Sequence, residues 1–373
     1  MAGTYTFAQK ALVLTFFFIS GACTAVLGNV MYNTNSIGNH NVVKPFQKPW
    51  FQGWAMFVAM SSLIFATPFA KNCACPSYKI GQPIRGWGLL RMTSVPALCD
   101  MSATILQNIA LLFLPPSVWQ MTRGSILLFT AFFSIFYRHH KLNLIDWIGI
   151  LFTILGISLV GIAAVTSDNS SNKSSSGKTI VSMCLIFIAQ GLQAFQTIVE
   201  EQLLHDIDAT ENEIVSYEGI WGLYFSTFIM MPLAQIAPSN WGEGLYEDSI
   251  ESFKLIANSY TIFFLLLGYL VAILVYNLTG MIVTLFSSAI HRNIYEALRS
   301  AAVWVLSLIV YRLNNDAGEK LSWPSSFIQL IGFSVSILGS FVYNRVVKFS
   351  CLKDSNEATN EVNSEPLMSN NPQ

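Results

Sequence analysis

The chain predicts an all-α integral membrane protein of about ten transmembrane helices, arranged as two inverted five-helix repeats. Three observations carry that prediction: a lipid-like composition, apolar segments recurring at membrane-spanning length, and one charged and glycine pattern that occurs twice. Hydrophobic residues make up 53% of the 373 and charged residues 11%, against roughly 25% charged in a soluble domain. The formal net charge of −1 and the absence of a basic stripe exclude a nucleic-acid-binding surface.

The spans follow in order: Gln9 to Val30, Trp50 to Ala70, Thr93 to Leu114, Ser117 to Tyr137, Leu144 to Val165, Thr179 to Leu203, Tyr217 to Ala237, Tyr260 to Leu285, Ser287 to Tyr311 and Ser325 to Val346. Each is near the ~20 apolar residues that cross a bilayer. The first follows Lys10 but has no small-residue processing site, so it is expected to remain as a helix and not leave as a signal peptide. The repeats are then 1–165 and 179–350, separated by a Ser/Asn-rich linker, 166–178, and followed by a polar, disordered cytosolic tail, 351–373.

Loop charges set the orientation. With a cytosolic N-terminus, Lys10, Lys71, Lys79, Arg85, Arg91, Arg138, Lys141, Arg345, Lys348 and Lys353 fall on the cytosolic side. Lys44, Lys48, Lys173, Lys178, Lys254, Arg312 and Lys320 fall opposite. The bias follows the positive-inside rule with both termini cytosolic. The linker then lies in the lumen, where Asn169 and Asn172, each beginning an Asn-x-Ser pattern, are candidate glycosylation sites. An unmodified flexible linker is the other reading.

The internal repeat rests on two pairs of segments. "RGSILLFTAFFSIFYR", 123–138, and "RSAAVWVLSLIVYR", 299–312, both run from arginine through an apolar stretch to Tyr-Arg. Each is followed by a helix with two glycines seven apart, Gly149 and Gly156 after the first, Gly332 and Gly339 after the second. That spacing puts both glycines on one face, where backbones approach closely. Five helices per repeat force the second copy to enter the membrane upside down, the architecture of many secondary transporters.

Of 20 Lys and Arg residues, three fall inside spans away from the first or last two residues: Arg123 on the fourth, Arg292 and Arg299 on the ninth. A central arginine costs at least ~2.5–3.5 kcal/mol to insert, so its default reading is functional. Arg292, Glu296 and Arg299 share one helix face at i, i+4 and i+7, beside His291. Glu296 can pair with either arginine, leaving the other for a substrate anion, for Asp100 on the third span or for Glu218 on the seventh. A closed ion-pair network holding the bundle together is the competing reading, and a gate that exchanges partners satisfies both. Asp100 is also a candidate proton carrier. Gln120, Asn108 and Asn277 are candidates for lining the cavity, with Gln107, Gln190 and Gln193 as further hydrogen-bonding groups, although helix-to-helix bonding is the commoner role of such side chains in membranes. Asp146 and the Glu200–Glu201 pair, near helix ends, need only solvated or dipole-compensating roles.

No metal or cofactor is expected. Six cysteines, Cys23, Cys73, Cys75, Cys99, Cys184 and Cys351, are scattered. Cys73 and Cys75 are too close for a common zinc spacing and no His or Cys pair follows, which leaves a loop pair open to lipidation. His139 and His140 have no third ligand nearby, and phosphate-binding glycine loops and nucleophile elbows are missing. The chain is therefore not expected to be an enzyme.

The ordered set "PALCDMSATIL", "WQMTRGSILLFTAFFSIFY", "VEEQLL", "YEGIWG", "YNLTG" and "HRNIYEALRSAAVW" resembles the drug/metabolite transporter superfamily. Within it the set is most similar to solute carrier family 35, subfamily F (member-six type), relatives of the nucleotide-sugar transporters. The resemblance spans nearly the whole chain except the linkers and tail. It implies two inverted five-helix repeats, alternating access, homodimer contacts through the fifth and tenth helices, and an endomembrane location such as the lysosome, vacuole or Golgi/ER. It also implies anion binding by basic residues of the central cavity, roles that Arg123, Arg292 and Arg299 fit by position. The tail stretch "SEPLM", 364–368, lacks the second leucine of an acidic dileucine sorting signal.

The expected function is secondary-active transport of a small organic anion or zwitterion across an endomembrane, with the lipid bilayer and a small-molecule substrate as partners. A non-transporting interaction or regulatory protein on the same fold is the alternative, in which the charges are structural.

Overall fold

The computed structural model describes residues 5–72, 87–111, 113–114, 118–119, 122–138, 144–166, 176–205, 210–236, 246–287, 289, 291–293, 295–296, 298–299, 303, 312 and 324–343. In chain order these form α1 (Phe7–Asn33), a hairpin of β1 (Asn35–Ile37) and β2 (Val43–Pro45), α2 (Pro49–Asn72), α3 (Trp87–Met92), α4 (Ser94–Leu111), α5 (Ile126–Arg138), α6 (Leu144–Thr166), α7 (Ser176–His205), α8 (Glu211–Phe225), α9 (Met231–Ile236), α10 (Ser249–Ala257), α11 (Tyr260–Phe286) and α12 (Ser325–Tyr343). A single π turn, Ser226–Met230, joins α8 to α9. The described ninth-span positions 289, 291–293, 295–296, 298–299 and 303 are also helical.

The protein is mostly helical and built for lipid. Among the described residues, four helices, Phe7–Asn33, Thr179–His205, Glu211–Ile236 and Tyr260–Phe286, are long and apolar enough to cross a bilayer, and shorter apolar helices run over Arg123–Phe133, Trp147–Val160 and Ser325–Gly339. Large apolar side chains such as Phe65, Trp147 and Phe264 point outward, while Arg299 and Glu218 are buried. That reversal suits a solvent of hydrocarbon, in which only the protein interior supplies polar partners.

Helix starts follow capping chemistry. Thr6 and Gln9 form a reciprocal capping box for α1, with the Thr6 N–H donating to Gln9 Oε1 at 2.9 Å. Thr210 and Glu213 do the same for α8, which therefore begins at Glu211, six residues before the apolar run suggests. Likewise α7 begins at Ser176, inside the stretch expected to be linker.

Packing brings distant parts of the chain together. α1 lies against α11, α2 against α8, α4 against α7, and α6 against α12. The α6–α12 contact is made by the paired glycines, within one chain: a methyl group on Gly332 would sit 2.7 Å from the Gly156 carbonyl oxygen, and one on Gly339 2.6 Å from that of Gly149. Between α1, α2, α4, α8 and α11 lies the main apolar core, including Phe17, Phe57, Met60, Ile105, Ile214 and Tyr276.

At one end, the β1–β2 hairpin docks onto α10. Asn41 takes a left-handed backbone (φ 58°), which asparagine tolerates, between the antiparallel strands. Ser36 Oγ donates to the Leu255 carbonyl at 2.7 Å and Asn258 Nδ2 to the Ile37 carbonyl at 2.8 Å. Lys48 and Lys44 both pair with Glu251, at 3.0 and 3.3 Å. Lys254 donates to Asn39 Oδ1 at 2.8 Å, so the three lysines that the loop-charge pattern puts on one side lie at the same end.

Burial raises the Glu251 carboxyl, but the Lys48 hydrogen bond and the charges of Lys48 and Lys44 outweigh it and hold the group below its ordinary value of 4.5. A carboxylate lowered by folding stabilises the fold above its unfolded value and loses that contribution as pH falls through the folded value. Glu251→Gln is therefore expected to lower stability at neutral pH by about 1.5–3 kcal/mol and to flatten the loss of stability below pH 4.5. Thermal unfolding in detergent across pH measures both; superimposable wild-type and variant profiles would remove the latch.

Candidate solute site

A buried cavity is lined by Arg123 and Ile126, by Gln190, Gln193 and Thr197 on α7, and by Arg292, Asn293 and Glu296 on the ninth span. The apolar α7 carries its polar lining residues at i, i+3 and i+7, so one face alone turns inward. The free space is about the room of one water, so the polar groups crowd together in this conformation. Two of those groups have no hydrogen-bond partner: Gln190 Nε2, a donor, and Asn293 Oδ1, an acceptor. The Asn293 orientation is fixed by its other atom, since Nδ2 donates to Thr130 Oγ1 at 2.7 Å and Thr197 Oγ1 at 3.3 Å.

The three arginines are held differently. Arg292 donates to Glu200 Oε2 at 2.5 Å, and Gln196 donates to the other Glu200 oxygen at 2.6 Å. Arg299, 2% exposed, donates through Nη2 to Glu296 Oε2 at 3.0 Å and through Nη1 to the Gly21 carbonyl at 2.9 Å, and stacks on Tyr276 with 5.1 Å to the ring centroid. Gly21 is what admits it, because a methyl there would strike the Arg299 side chain. The Tyr276 hydroxyl donates to Glu296.

Arg123 begins a 3₁₀ turn, Arg123–Ser125, that leads into α5. Its guanidinium lies over Trp119, 4.9 Å from the ring centroid, and the Trp119 indole is anchored by donating to the Gln107 carbonyl at 2.9 Å. No carboxylate of a described residue comes within ion-pair distance of it. Glu296 and Arg299 are its charged neighbours.

Near Arg292, three buried carboxyl groups gather from three helices: Asp100 on α4, Glu200 on α7 and Glu218 on α8. Thr104 Oγ1 donates to Asp100 at 3.4 Å.

The chain is 31% identical over 305 residues, 80% of its length and 78% of the relative's, to "Solute carrier family 35 member F6" of Pongo abelii. It is 30% identical over 304 residues to the Homo sapiens protein of that name, with the same coverage. The chain belongs to solute carrier family 35. Residues 19–162 of this solute carrier 35 chain also match the EamA-like transporter family. A solved crystal structure superposes with a TM-score of 0.52 at 12% identity, covering 92% of this chain and 100% of that one, a likeness of fold. Membership makes the chain a multi-pass membrane protein of a family that transports small solutes.

In this solute carrier 35 chain, Arg123, Arg292 and Glu296 meet in one cavity, with Arg299 just behind Glu296. Asp100 and Glu218 interact electrostatically with Arg292, but its direct partner is Glu200. Glu200, expected to be solvated near a helix end, is 1% exposed. Asn108 and Asn277 are not among the cavity's lining residues: Asn108 Nδ2 donates to the Pro49 carbonyl of α2 at 3.2 Å, and Asn277 Nδ2 to Ile273 in its own helix at 3.0 Å. Their amides are used by the bundle itself. Gln190, Gln193, Thr197 and Asn293 take the lining role instead. Gln120, Asn169, Asn172, Cys73, Cys75, His139, His140 and the tail lie outside the described residues.

Proposed function

We propose that this protein is a secondary-active transporter of a small organic anion or zwitterion, with Arg123 as the cation that meets the solute. The observation that carries this reading is an asymmetry among three intramembrane arginines. Arg292 and Arg299 are neutralised by Glu200 and Glu296, whereas Arg123 has an aromatic platform and no described carboxylate within ion-pair distance, its neighbour Glu296 being paired with Arg299. A guanidinium left so in a bilayer is costly, and an anionic group on the solute supplies the missing charge. Gln190 Nε2 and Asn293 Oδ1 offer a donor and an acceptor to the same solute.

Alternating access of two inverted five-helix repeats, with both termini cytosolic and an endomembrane location, completes the proposal. Its support is in the packing. Exchanging the first five spans for the second five maps the α4–α7 contact onto the α11–α1 contact and α4–α8 onto α11–α2, while α2–α8 and α6–α12 map onto themselves. A pseudo-two-fold axis between repeats produces such pairs. The crowded space at Arg123 then corresponds to a state between openings.

The test is stabilisation of the detergent-solubilised protein by a panel of organic anions, zwitterions and cations, compared with Arg123→Gln. A ligand that binds only the folded state at a hundredfold excess adds about 2.7 kcal/mol. An anion or zwitterion is expected to stabilise wild type and not the variant, with the variant still folded. If only cations stabilise, or if every hit survives in Arg123→Gln, the assignment of Arg123 fails.

A further inference from the structure

Glu218 presents an unusual arrangement outside the solute cavity. It is 1% exposed, and its Oε1 has no hydrogen-bond partner. Its carboxyl and that of Glu200, itself 1% exposed, are electrostatic neighbours. Two ionised carboxylates held as buried neighbours repel each other, and a proton on one of them removes that repulsion.

The charge count leads to the same point. Asp100, Glu200 and Glu218 converge on a single guanidinium, Arg292. The other elements packed around Glu218 bring no second cation among the described residues. α2 meets it with the Met60–Ser61 backbone at Gly219 and with Phe57 at Gly222. α4 adds Cys99 beside Asp100, and α11 adds the phenols of Tyr269, near Asp100, and Tyr276, near Arg292. Glu296, which also faces Arg292, is bound to Arg299. No group of three or more His, Cys, Asp or Glu among the described residues is placed to hold a metal ion.

We propose that Glu218, with Glu200 and Asp100 beside it, is an exchangeable-proton site that couples to solute movement through Arg292; the coupling rests on the Arg123 reading above. Proton loss transfers H⁺ from the Glu218 carboxyl O–H to water. Two carboxylates then face each other and compete for Arg292, which also lines the solute cavity. Uptake of a proton by Glu218 removes that competition. The solute cavity and the proton site thus share one guanidinium, which moves between them as Glu218 loads and unloads.

The experiment uses the purified full-length protein with no organic solute present. Tryptophan fluorescence and thermal unfolding are followed from mildly acidic to alkaline pH, with choline chloride or sodium chloride as the only salt. Trp221 sits one turn beyond Glu218 and donates to the Leu90 carbonyl at 2.5 Å, so it reports on this part of α8. Wild type is expected to show a titration step that Glu218→Gln removes and that Glu247→Gln, at the far hairpin end, retains. A step that persists unchanged in Glu218→Gln, or a dependence on sodium instead of pH, overturns the proposal.

Infrared pH-difference spectra of wild type alone keep the test decisive if Glu218→Gln does not fold. A protonated-carboxyl C=O band that disappears across the step supports the site, and no such band refutes it. A flat solute panel alongside a clear proton step would fail the Arg123 assignment and leave this site standing. The converse result would fail the proton site alone.

Discussion

Glu296→Gln is expected to be the most damaging single charge change in the protein, costing about 3–5 kcal/mol of stability. Glu296 faces Arg299, Arg123 and Arg292 together. Without its charge, Arg299 has no carboxylate beside the Gly21 carbonyl and the Tyr276 ring, and Arg123 and Arg299 are left as like-charged neighbours in a bilayer. No other described carboxylate stands near enough to Arg299 to replace it. The comparison variant is Glu200→Gln, which removes the partner of Arg292 but leaves Asp100 and Glu218 beside it. Its loss is expected to be clearly smaller. Thermal unfolding in one detergent ranks the two, and Glu296→Met with Arg299→Met should recover part of the deficit, because removing both charges leaves no orphan. Equal losses for Glu296→Gln and Glu200→Gln would show that the neighbouring carboxyls do not substitute.

The second large effect is steric. Gly332→Leu is expected to abolish folded protein, and Gly332→Ala to lower stability by about 1–3 kcal/mol. The reason is that backbone, not a flexible side chain, stands in the way: a Cβ at Gly332 meets Gly156 O at 2.7 Å and Val160 N at 3.0 Å. Neither can swing aside without separating α6 from α12. Gly268→Ala is the control, since its added methyl meets only Leu27 Cδ1 at 3.5 Å. Size-exclusion profiles of the three variants decide it. A monodisperse Gly332→Leu would mean that α6 and α12 can part at little cost.

Much of this architecture was legible because lipid imposes a simple demand, long apolar helices with polar groups kept inside. Arg292, Glu296 and Arg299 could be assigned to one face from spacing alone, and the glycine pairs announced a close contact, although only the fold shows it to be within one chain. Other features depended on distance along the chain. Glu200 looked like an end-of-helix residue because the apolar run stops just after it, yet α7 carries Gln190, Gln193, Thr197 and Glu200 at i, i+3, i+7 and i+10. That polar stripe on an apolar helix was the available signal.

The hairpin and α10 were harder to anticipate. Their contacts join residues more than two hundred positions apart, such as Lys48 with Glu251, and short elements carry little periodicity. Asn108 and Asn277 show the opposite limit. An amide inside a span is visible in sequence, but whether it faces a cavity or bonds a neighbouring backbone is decided by helix rotation.

Transport itself is tested most directly by reconstituting wild type and Arg123→Gln into liposomes, exposing both to a mixed metabolite extract, and identifying by mass spectrometry what accumulates inside. The account predicts that one or more anionic or zwitterionic solutes enter with wild type and not with the variant. Accumulation confined to cations, or an identical set of solutes in both preparations, would contradict it.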